Sequence, residues 1–280
     1  MQTYSPCILC NTSDFSVIHQ KDRWQYLRCT GCGLVSLHPR PTPQELIKSY
    51  DTYLPVRPAD IAEWKRMMQP IVDASADLIE SRNRTGRGSL MDIGCGYGFF
   101  LEEMKLRGWE VSGVEISKTG RQYAKHTLNI EVYSEPLETL LLPDNSFDVV
   151  TLFYVIEHVL EPLFLLKRIN HILKPGGLIL LRWPHTTPIV RILGPLSRKI
   201  DLYHTPFHIH DFSPKTIKKL LKGCGFIEIE TRIAGYTLPS KKMSRWTSII
   251  FGKLGETLYS LSNGRVILPG ISKTTLAYKK

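Results

Sequence analysis

Short apolar runs alternate with segments of helical periodicity from about residue 90 to residue 231. The apolar runs are short enough to be buried strands, and each segment between them is long enough to form a helix. Because parallel strands need a crossover connection, this alternation predicts an α/β fold with a doubly wound, mostly parallel sheet and helices on both faces. With 42% hydrophobic residues in 280, the chain can bury such a core without disulfide bonds.

The same patterns set the predicted elements and domains. The predicted strands are 90–93, 110–114, 130–133, 147–153, 178–182, 226–231 and 274–278. The predicted helices are 43–50, 59–82, 98–107, 118–127, 162–173, 213–223 and 240–263. We therefore expect a small N-terminal unit over residues 1–40, a helical linker over 41–87, and a main domain over 88–280 in which 240–263 is a helical insertion.

A glycine-rich turn follows the first strand of the main domain. Gly94, Gly96 and Gly98 follow Asp92 with the spacing Gly-x-Gly-x-Gly, and Phe99 stands where the dinucleotide fingerprint requires its last glycine. A ligand of such a fold binds at the carboxyl ends of the strands. The Asp92 carboxylate would repel a pyrophosphate there and would attract an ammonium group, so the sequence predicts a cationic ligand.

Two further acidic segments follow the next two strands. Glu115 lies 23 residues after Asp92, which is about the separation at which a carboxylate binds both hydroxyls of a ribose. Leu137 and Glu138 follow the third strand, where an apolar side chain and a carboxylate can bracket an adenine ring. Together the three segments predict a nucleoside that carries a positive charge.

In these motifs the chain resembles the class I S-adenosylmethionine-dependent methyltransferases over about residues 88–232. The motifs are Asp92 to Gly98, Glu115, Leu142 to Val150, Ile156 to Val159 and Leu173 to Gly177. The resemblance implies that Asp92 and the glycine turn hold the methionyl end, Glu115 the ribose, Leu137 and Glu138 the adenine, and Phe153 and Tyr154 the space beside the sulfonium. An aromatic face near a sulfonium is also expected from cation–π attraction.

Methyl transfer to a hydroxyl or an acidic carbon requires a base as well as alignment of the acceptor. His158, with Glu157 beside it, follows the fourth strand of the main domain, and methyltransferases with small acceptors often carry Glu-His there. We interpret His158 as a base or an orienting residue; the alternative is a structural histidine. His208 and His210 lie in the long segment 183–213 after the fifth strand and are predicted to contact the acceptor. Histidines in this segment could instead bind a second metal or support the helix cap at Ser213.

The four N-terminal cysteines predict a zinc ribbon. Cys7 and Cys10 form one Cys-x2-Cys pair and Cys29 and Cys32 the other, with 18 residues between the pairs, which is typical of a four-thiolate zinc site. Such a site has no open position, so the zinc would be structural. The sequence shows no signal-peptide pattern and no apolar run long enough to span a membrane. We therefore expect a cytoplasmic protein with reduced thiols rather than disulfides.

The excess positive charge is concentrated in the last third of the chain, where residues 182–280 carry 17 Lys and Arg against 5 Asp and Glu. A basic surface attracts phosphates, so the acceptor could be phosphorylated or nucleotide-linked. The apolar-faced segment 240–263 favours core packing or a homodimer face, with a lid over an amphiphilic acceptor or a peripheral membrane contact as alternatives.

Methyltransferases that resemble this chain and carry a zinc ribbon commonly act on sugars, glycan intermediates or secondary metabolites. The resemblance therefore implies transfer to an oxygen of such an acceptor, and the basic last third fits a phosphorylated one. A sugar C-methyltransferase is an alternative, but those chains resemble this one incompletely because they carry a further C-terminal domain. A ribosomal or transfer RNA methyltransferase would use the basic third; the ribbon itself is not basic and no aromatic strand platform accompanies the charge. A noncatalytic protein that retains only the cofactor fold is a third alternative.

Overall fold

A computed structural model describes residues 4–42, 44–46 and 54–280, with residues 195, 198 and 199 described by their backbone alone. Two sheets organise the chain. Of the predicted helix over 43–50, residues 44–46 are helical and the rest lies outside the described residues. No helix in the described ranges combines the length and apolar composition needed to cross a bilayer.

The larger sheet has seven strands in the order β10-β11-β8-β7-β4-β5-β6. Its strands are β4 (Ser89–Ile93), β5 (Glu110–Val114), β6 (Glu131–Tyr133), β7 (Phe147–Phe153), β8 (Leu173–Trp183), β10 (Phe226–Arg232) and β11 (Lys273–Lys279). The pairs from β8 to β6 are parallel, whereas β11 runs antiparallel to both β8 and β10. The predicted doubly wound, mostly parallel sheet is therefore confirmed.

Seven α-helices have both ends within the described residues. They are α1 (Pro58–Arg82), α2 (Phe99–Leu106), α3 (Lys118–Thr127), α4 (Pro162–Ile172), α5 (Thr187–Leu193), α6 (Pro214–Gly223) and α7 (Lys242–Leu261). The long helix α1 begins with a proline at its first turn, where no intrahelical N–H bond is lost. Its apolar face packs Val72, Ala76 and Ile79 against Phe100 and Met104 of α2, so the predicted linker helix forms part of the main core.

Helix α5 was not predicted, since the whole segment from 183 to 213 has the composition of a loop. Its first N–H groups are capped from a distance: the Asp211 carboxylate accepts hydrogen bonds from the backbone N–H of Thr186 and of Thr187, both at 2.8 Å. A carboxylate near a helix N-terminus satisfies free donors and complements the helix dipole. Because this cap lies 24 residues away in the chain, local sequence gives no indication of it.

The N-terminal unit is a small antiparallel sheet of β1 (Phe15–Lys21), β2 (Trp24–Cys29) and β3 (Val35–His38), and its fourth strand is β9 (His210–Asp211). The pairing of β3 with β9 therefore joins the N-terminal unit to a segment of the main domain. Cys29 and Leu34 also belong to the buried apolar cluster that contains Phe212. The two sheets share one core.

Candidate active site

The carboxyl ends of the parallel strands border a cavity of about 360 Å³. Of the nine residues predicted to bind a cofactor, eight line it: Asp92, Gly94, Gly96, Glu115, Leu137, Glu138, Phe153 and Tyr154. Its volume is that of a small-molecule site. The structure therefore brings the residues of three separate acidic segments to one cavity, as parallel strands require.

The glycines of the turn at 94–98 allow neighbouring atoms to approach the backbone closely. Gly94 has φ of 72°, and a Cβ atom there would lie 2.5 Å from Cγ2 of Val155. Gly96 also has a positive φ, 54°, in the region that glycine adopts without steric cost. Gly98 is not among the residues that line the cavity; it precedes α2 and lies against Ala124. Its direct contact with a cofactor stays a prediction.

Two buried carboxylates form the polar part of the wall. Asp92 is 2% exposed and accepts a hydrogen bond from Oγ1 of Thr151 at 2.7 Å, and burial raises the pKa of Asp92 to about 8. Glu115 accepts from the backbone N–H of Gly96 at 2.8 Å and of Ser117 at 2.7 Å, and burial raises its pKa too. Because each carboxylate oxygen has two lone pairs, both acids can still accept from a ligand. A cationic ligand would compensate their burial.

The aromatic part of the wall includes one strained residue. Tyr154, directly after β7, has φ of 58°, a value uncommon for a residue with a side chain. Its hydroxyl accepts a hydrogen bond from Nε of the buried Arg182 at 2.8 Å, and its backbone N–H donates to the Arg182 carbonyl at 2.8 Å. Two hydrogen bonds to Arg182, one of the side chain and one of the backbone, thus hold Tyr154 beside Phe153 at the cavity.

Helix α1 closes the cavity with side chains that sequence reasoning did not assign to the site. Trp64, Met68, Ile71 and Val72 line it, together with Leu54 from the segment before the helix. Their helical spacing was visible, but the pattern alone does not distinguish a helix face that covers core from one that covers a ligand. The segment predicted as a linker is therefore a wall of the site.

Glu157 and His158 lie on a short 3-10 helix over Ile156–His158, and His158 lines the cavity. The Phe207 carbonyl lies 2.9 Å from Nδ1 of His158, and a carbonyl can only accept, so Nδ1 carries the proton and Nε2 the lone pair. Burial lowers the pKa of His158 to about 4. The imidazole is therefore neutral at pH 7 in a tautomer that can accept a proton on Nε2.

Glu157 is 1% exposed, and within the described chain neither of its carboxylate oxygens has a hydrogen-bond partner. Its Oε1 lies 4.0 Å from Nε2 of His158, and burial raises the pKa of Glu157 to about 8. With that pKa, Glu157 is mostly protonated at pH 7. A positive charge formed on His158, 4.0 Å away, would favour the ionised form of Glu157, and the two charges would then stabilise each other. Glu157 is suited to assist proton transfer by electrostatics rather than by direct contact.

The two later histidines occupy different places. The His208 ring lies 4.9 Å from the His158 ring, and Glu157, His158 and His208 have potential ligand atoms within 4.8 Å of one another. His210 is fully buried in β9, and its Nδ1 lies 2.9 Å from Oγ of Ser36. His208 thus joins the His158 cluster, whereas His210 is buried in the smaller sheet beside Ser36; the contact of His210 with an acceptor stays a prediction.

The N-terminal sheet supports the segment that carries His208. The Tyr26 hydroxyl donates to the His208 carbonyl, with an O–O distance of 3.0 Å, and the Tyr26 ring stacks on Tyr203 at 4.0 Å between centroids. The N–H of Leu37 donates to the Ile209 carbonyl, and the N–H of Ile209 donates to the Glu157 carbonyl, both at 2.8 Å. A chain of hydrogen bonds therefore connects the N-terminal sheet to the Glu157–His158 turn.

The four N-terminal cysteines come together as their spacing predicts. The Sγ–Sγ distance is 3.5 Å between Cys7 and Cys32 and 3.3 Å between Cys10 and Cys29, and all four sulfurs lie within 4.8 Å of one another. Gly33 turns the second knuckle with φ of 82°. Four converging sulfurs without disulfide bonds suit a tetrahedral thiolate site.

Comparisons with known proteins agree with this geometry. Residues 64–230, more than half of the chain, match the family described as methyltransferase domain. Two curated relatives are named ubiquinone biosynthesis O-methyltransferase. That of Ruegeria pomeroyi is 30% identical over 51% of this chain and 61% of its own length, and that of Saccharophagus degradans is 26% identical over 61% and 83%. The chain thus spans about three fifths of the first relative.

Solved structures show the same fold. A SAM-dependent methyltransferase from Archaeoglobus fulgidus superposes with a TM-score of 0.55 at 20% sequence identity, covering 80% of this chain and all of that one. At this identity the likeness concerns the fold rather than the acceptor. The resemblance inferred from the glycine turn and the acidic segments is confirmed.

Proposed function

Because the chain belongs to the methyltransferase domain family, we propose that it transfers a methyl group from S-adenosylmethionine to an oxygen of a small or mid-sized acceptor. The observation that carries the proposal is the pairing, on one cavity wall, of the buried acids Asp92 and Glu115 with a neutral histidine, His158. The acids suit a cationic nucleoside, and the histidine suits removal of a proton from a hydroxyl.

The cofactor's place follows from the chemistry of the wall. Asp92 would hold the methionyl ammonium and Glu115 the ribose hydroxyls, while Leu137 and Glu138 would hold the adenine. Phe153 and Tyr154 present aromatic surface to the sulfonium side. When bound, S-adenosylmethionine supplies an electrophilic methyl group on a good leaving group.

The chain's own contribution to the reaction is alignment and proton removal. The acceptor hydroxyl would donate to Nε2 of His158, whose tautomer is set by the Phe207 carbonyl. As the new oxygen–carbon bond forms and the carbon–sulfur bond breaks, the hydroxyl proton would pass to Nε2. The positive charge on His158 would favour ionisation of the nearby Glu157, which would then stabilise the imidazolium. The apolar wall of α1, including Trp64 and Met68, excludes water from the reacting oxygen. His208, packed on the His158 ring, would orient the acceptor.

Oxygen is favoured over carbon or nitrogen because the curated relatives are named O-methyltransferases. Their names point to ubiquinone biosynthesis, so a sugar, glycan or phosphorylated acceptor rests on the basic C-terminal third of this chain alone. An RNA acceptor would require a basic surface beside the cavity mouth. The cavity wall instead carries Glu115, Glu138 and apolar side chains, which disfavours RNA.

We also propose that Cys7, Cys10, Cys29 and Cys32 bind structural zinc. The converging sulfurs support this proposal. Hydrogen bonds from Leu37 to the Ile209 carbonyl and from Tyr26 to the His208 carbonyl connect the N-terminal sheet to the segment beside the cavity. By fixing the ribbon, zinc would stabilise the segment on which His208 lies.

The proposed function is tested with methyl-labelled S-adenosylmethionine and separated lysate pools of metabolites, lipids, glycans and RNA. Label in a metabolite, lipid or glycan pool, recovered as a methyl ether, is expected. Label in RNA alone would overturn the assignment of the acceptor. Calorimetry with S-adenosylmethionine alone that shows no binding would overturn the assignment of the cofactor.

A further inference from the structure

Helix α7 is apolar on two opposite faces. Its inner face packs through Gly252 and Gly255, where an added Cβ atom would lie 2.7 Å from Tyr236 and 2.9 Å from Ile233. Its outer face carries a stripe of large apolar side chains at spacings of 3, 4 and 7 residues, which share one side of a helix. The members and their exposed fractions are Met243 81%, Trp246 65%, Ile250 57%, Leu254 44% and Leu261 80%.

A stripe of this kind is unusual for a helix that faces water. A surface helix of a globular protein normally presents polar residues opposite its buried face, and contiguous exposed apolar surface marks an interaction site. The close contacts of Gly252 and Gly255 fix the inner face against the domain. The outer stripe therefore has to be covered by something outside the described chain.

The charges around the stripe identify the partner. Lys241, Lys242, Arg245 and Lys253 flank it, and Glu256 is the single acidic residue in 240–263. Glu256 is turned inward, where it accepts a hydrogen bond from the backbone N–H of Gly235 at 2.7 Å. A helix with apolar residues on its outer face and basic residues beside them matches the chemistry of an anionic lipid surface.

A second copy of the chain fits this surface less well. In a symmetric dimer the same patch meets itself, so the lysines of one α7 would face those of the other with no acidic side chain on the helix surface to offset them. Trp246 near the start of the stripe also suits a membrane interface, where its ring lies at headgroup level.

We propose that α7 is a membrane-docking helix that lays its apolar stripe into the surface of an anionic lipid bilayer. The inner side of the same helix borders a second cavity of about 570 Å³, lined by Ser248 and Phe251 of α7 and by Tyr154. Tyr154 also lines the 360 Å³ cavity. If the proposed methyl transfer holds, docking would place the acceptor entrance beside the bilayer and would favour an amphiphilic acceptor.

The test uses the full chain and flotation with two kinds of vesicle, phosphatidylcholine alone and phosphatidylcholine mixed with phosphatidylglycerol. Binding to the anionic vesicles and little binding to the neutral ones is expected. The double variant Trp246→Ser, Ile250→Ser should reduce the partition coefficient by roughly tenfold or more, since two large apolar side chains no longer insert. Leu106→Ser is the control, because Leu106 is 79% exposed and ends α2, the helix that connects β4 to β5.

Two further measurements make the proposal falsifiable if the double variant folds poorly. Raising the salt concentration should weaken binding of the unmodified protein, because exposed charges are screened, and Lys242→Ala with Lys253→Ala should weaken it by about three- to tenfold. Failure of the unmodified protein to bind anionic vesicles would overturn the proposal. The proposal would also be overturned if the protein formed a stable dimer and the Trp246→Ser, Ile250→Ser variant were monomeric. Binding needs neither cofactor nor turnover, so its failure is distinguishable from failure of the proposed methyl transfer.

Discussion

The end of the cavity that we propose for the cofactor is lined by turns that directly follow strands, whereas the end that we propose for the acceptor is assembled from segments far apart in the chain. Asp92, Gly94 and Glu115 each occupy the first positions after or within a strand end. His158, by contrast, depends on the Phe207 carbonyl 49 residues later, and the segment around His208 is held by Tyr26. The first end is formed mainly by the sheet and the turns that follow its strands; the second also needs the N-terminal sheet and the 203–213 segment to dock.

The largest expected effect is a loss of kcat at the acceptor end that leaves cofactor binding unchanged. His158→Gln should lower kcat by roughly 100- to 1000-fold, because it removes the base, and should leave the dissociation constant of S-adenosylmethionine within about twofold. Single-turnover kinetics and calorimetry measure the two quantities. His126→Gln, on the exposed surface of α3, is the control. A kcat that is unchanged in the His158 variant would remove His158 from the mechanism.

The dependence of kcat/KM on pH tests the protonation state of His158. Because burial lowers the pKa of His158 to about 4, kcat/KM should show no loss attributable to this histidine between pH 8 and pH 5. An inflection near 6.5 that disappears in His158→Gln would show instead that the imidazole titrates like an exposed one.

Asp92→Asn tests the cofactor end. It should weaken S-adenosylmethionine binding by roughly 10- to 100-fold, because a charge-assisted contact becomes a neutral one, without lowering the free energy of unfolding. Asp148→Asn is the matched control at the opposite end of the sheet, where Asp148 accepts from Lys174 at 2.7 Å and from the Ser89 N–H at 2.9 Å. It should cost about 1–3 kcal/mol of stability and leave affinity unchanged. The reverse pattern would contradict the assignment of Asp92.

Tyr26→Phe tests whether the N-terminal sheet, the predicted zinc ribbon, supports the acceptor end. The variant keeps the stacked ring on Tyr203 but loses the hydrogen bond to the His208 carbonyl, so kcat should fall by about three- to tenfold while cofactor affinity stays unchanged. Tyr4→Phe, elsewhere in the ribbon, is the comparison. Equal kcat in both variants would show that the ribbon does not influence the site.

The smallest effect concerns stability and pH in the cofactor-free protein. Burial raises the pKa of Asp92 to about 8 from an unfolded value of 3.8, so the folded state binds this proton more tightly and the carboxyl stabilises the fold increasingly as pH falls from 8 toward 4. Asp92→Asn, which is neutral throughout, should have the higher Tm at pH 8, and this advantage should shrink steadily as the pH falls toward 4. A difference that does not depend on pH would contradict the raised pKa.

The sheet was predictable because each parallel strand is a short apolar run followed by turn residues. The strands at Glu110–Val114 and Phe147–Phe153 and the helix at Lys118–Thr127 match their predicted bounds. The acids that line the cavity were predictable for the same reason, since each lies at a fixed place relative to a strand; their contact with a cofactor stays a prediction.

The acceptor end was less predictable because its contacts are tertiary. Nothing near Thr187 in the chain indicates that Asp211 caps α5, and nothing near Trp64 shows that α1 faces a cavity rather than more core. His208 and His210 are two residues apart and equally conspicuous in sequence, yet the first contacts His158 and the second lies against Ser36. In a regular strand, residues two positions apart would point to the same side. His210 lies in β9, whereas His208 lies before that strand begins, so the start of β9, which is fixed by pairing with β3, separates the two histidines.

The strand β9 also has a consequence for biosynthesis. Ser36 of β3 and its partner His210 are 174 residues apart, so the ribbon leaves the ribosome long before the strand that completes its sheet has been made. At about 5–20 residues per second, the wait is roughly 10 to 35 s. During that interval the open edge of β3 is a site for mispairing with other nascent chains. Early metal capture by Cys7, Cys10, Cys29 and Cys32 would hold the hairpin in register until its partner arrives.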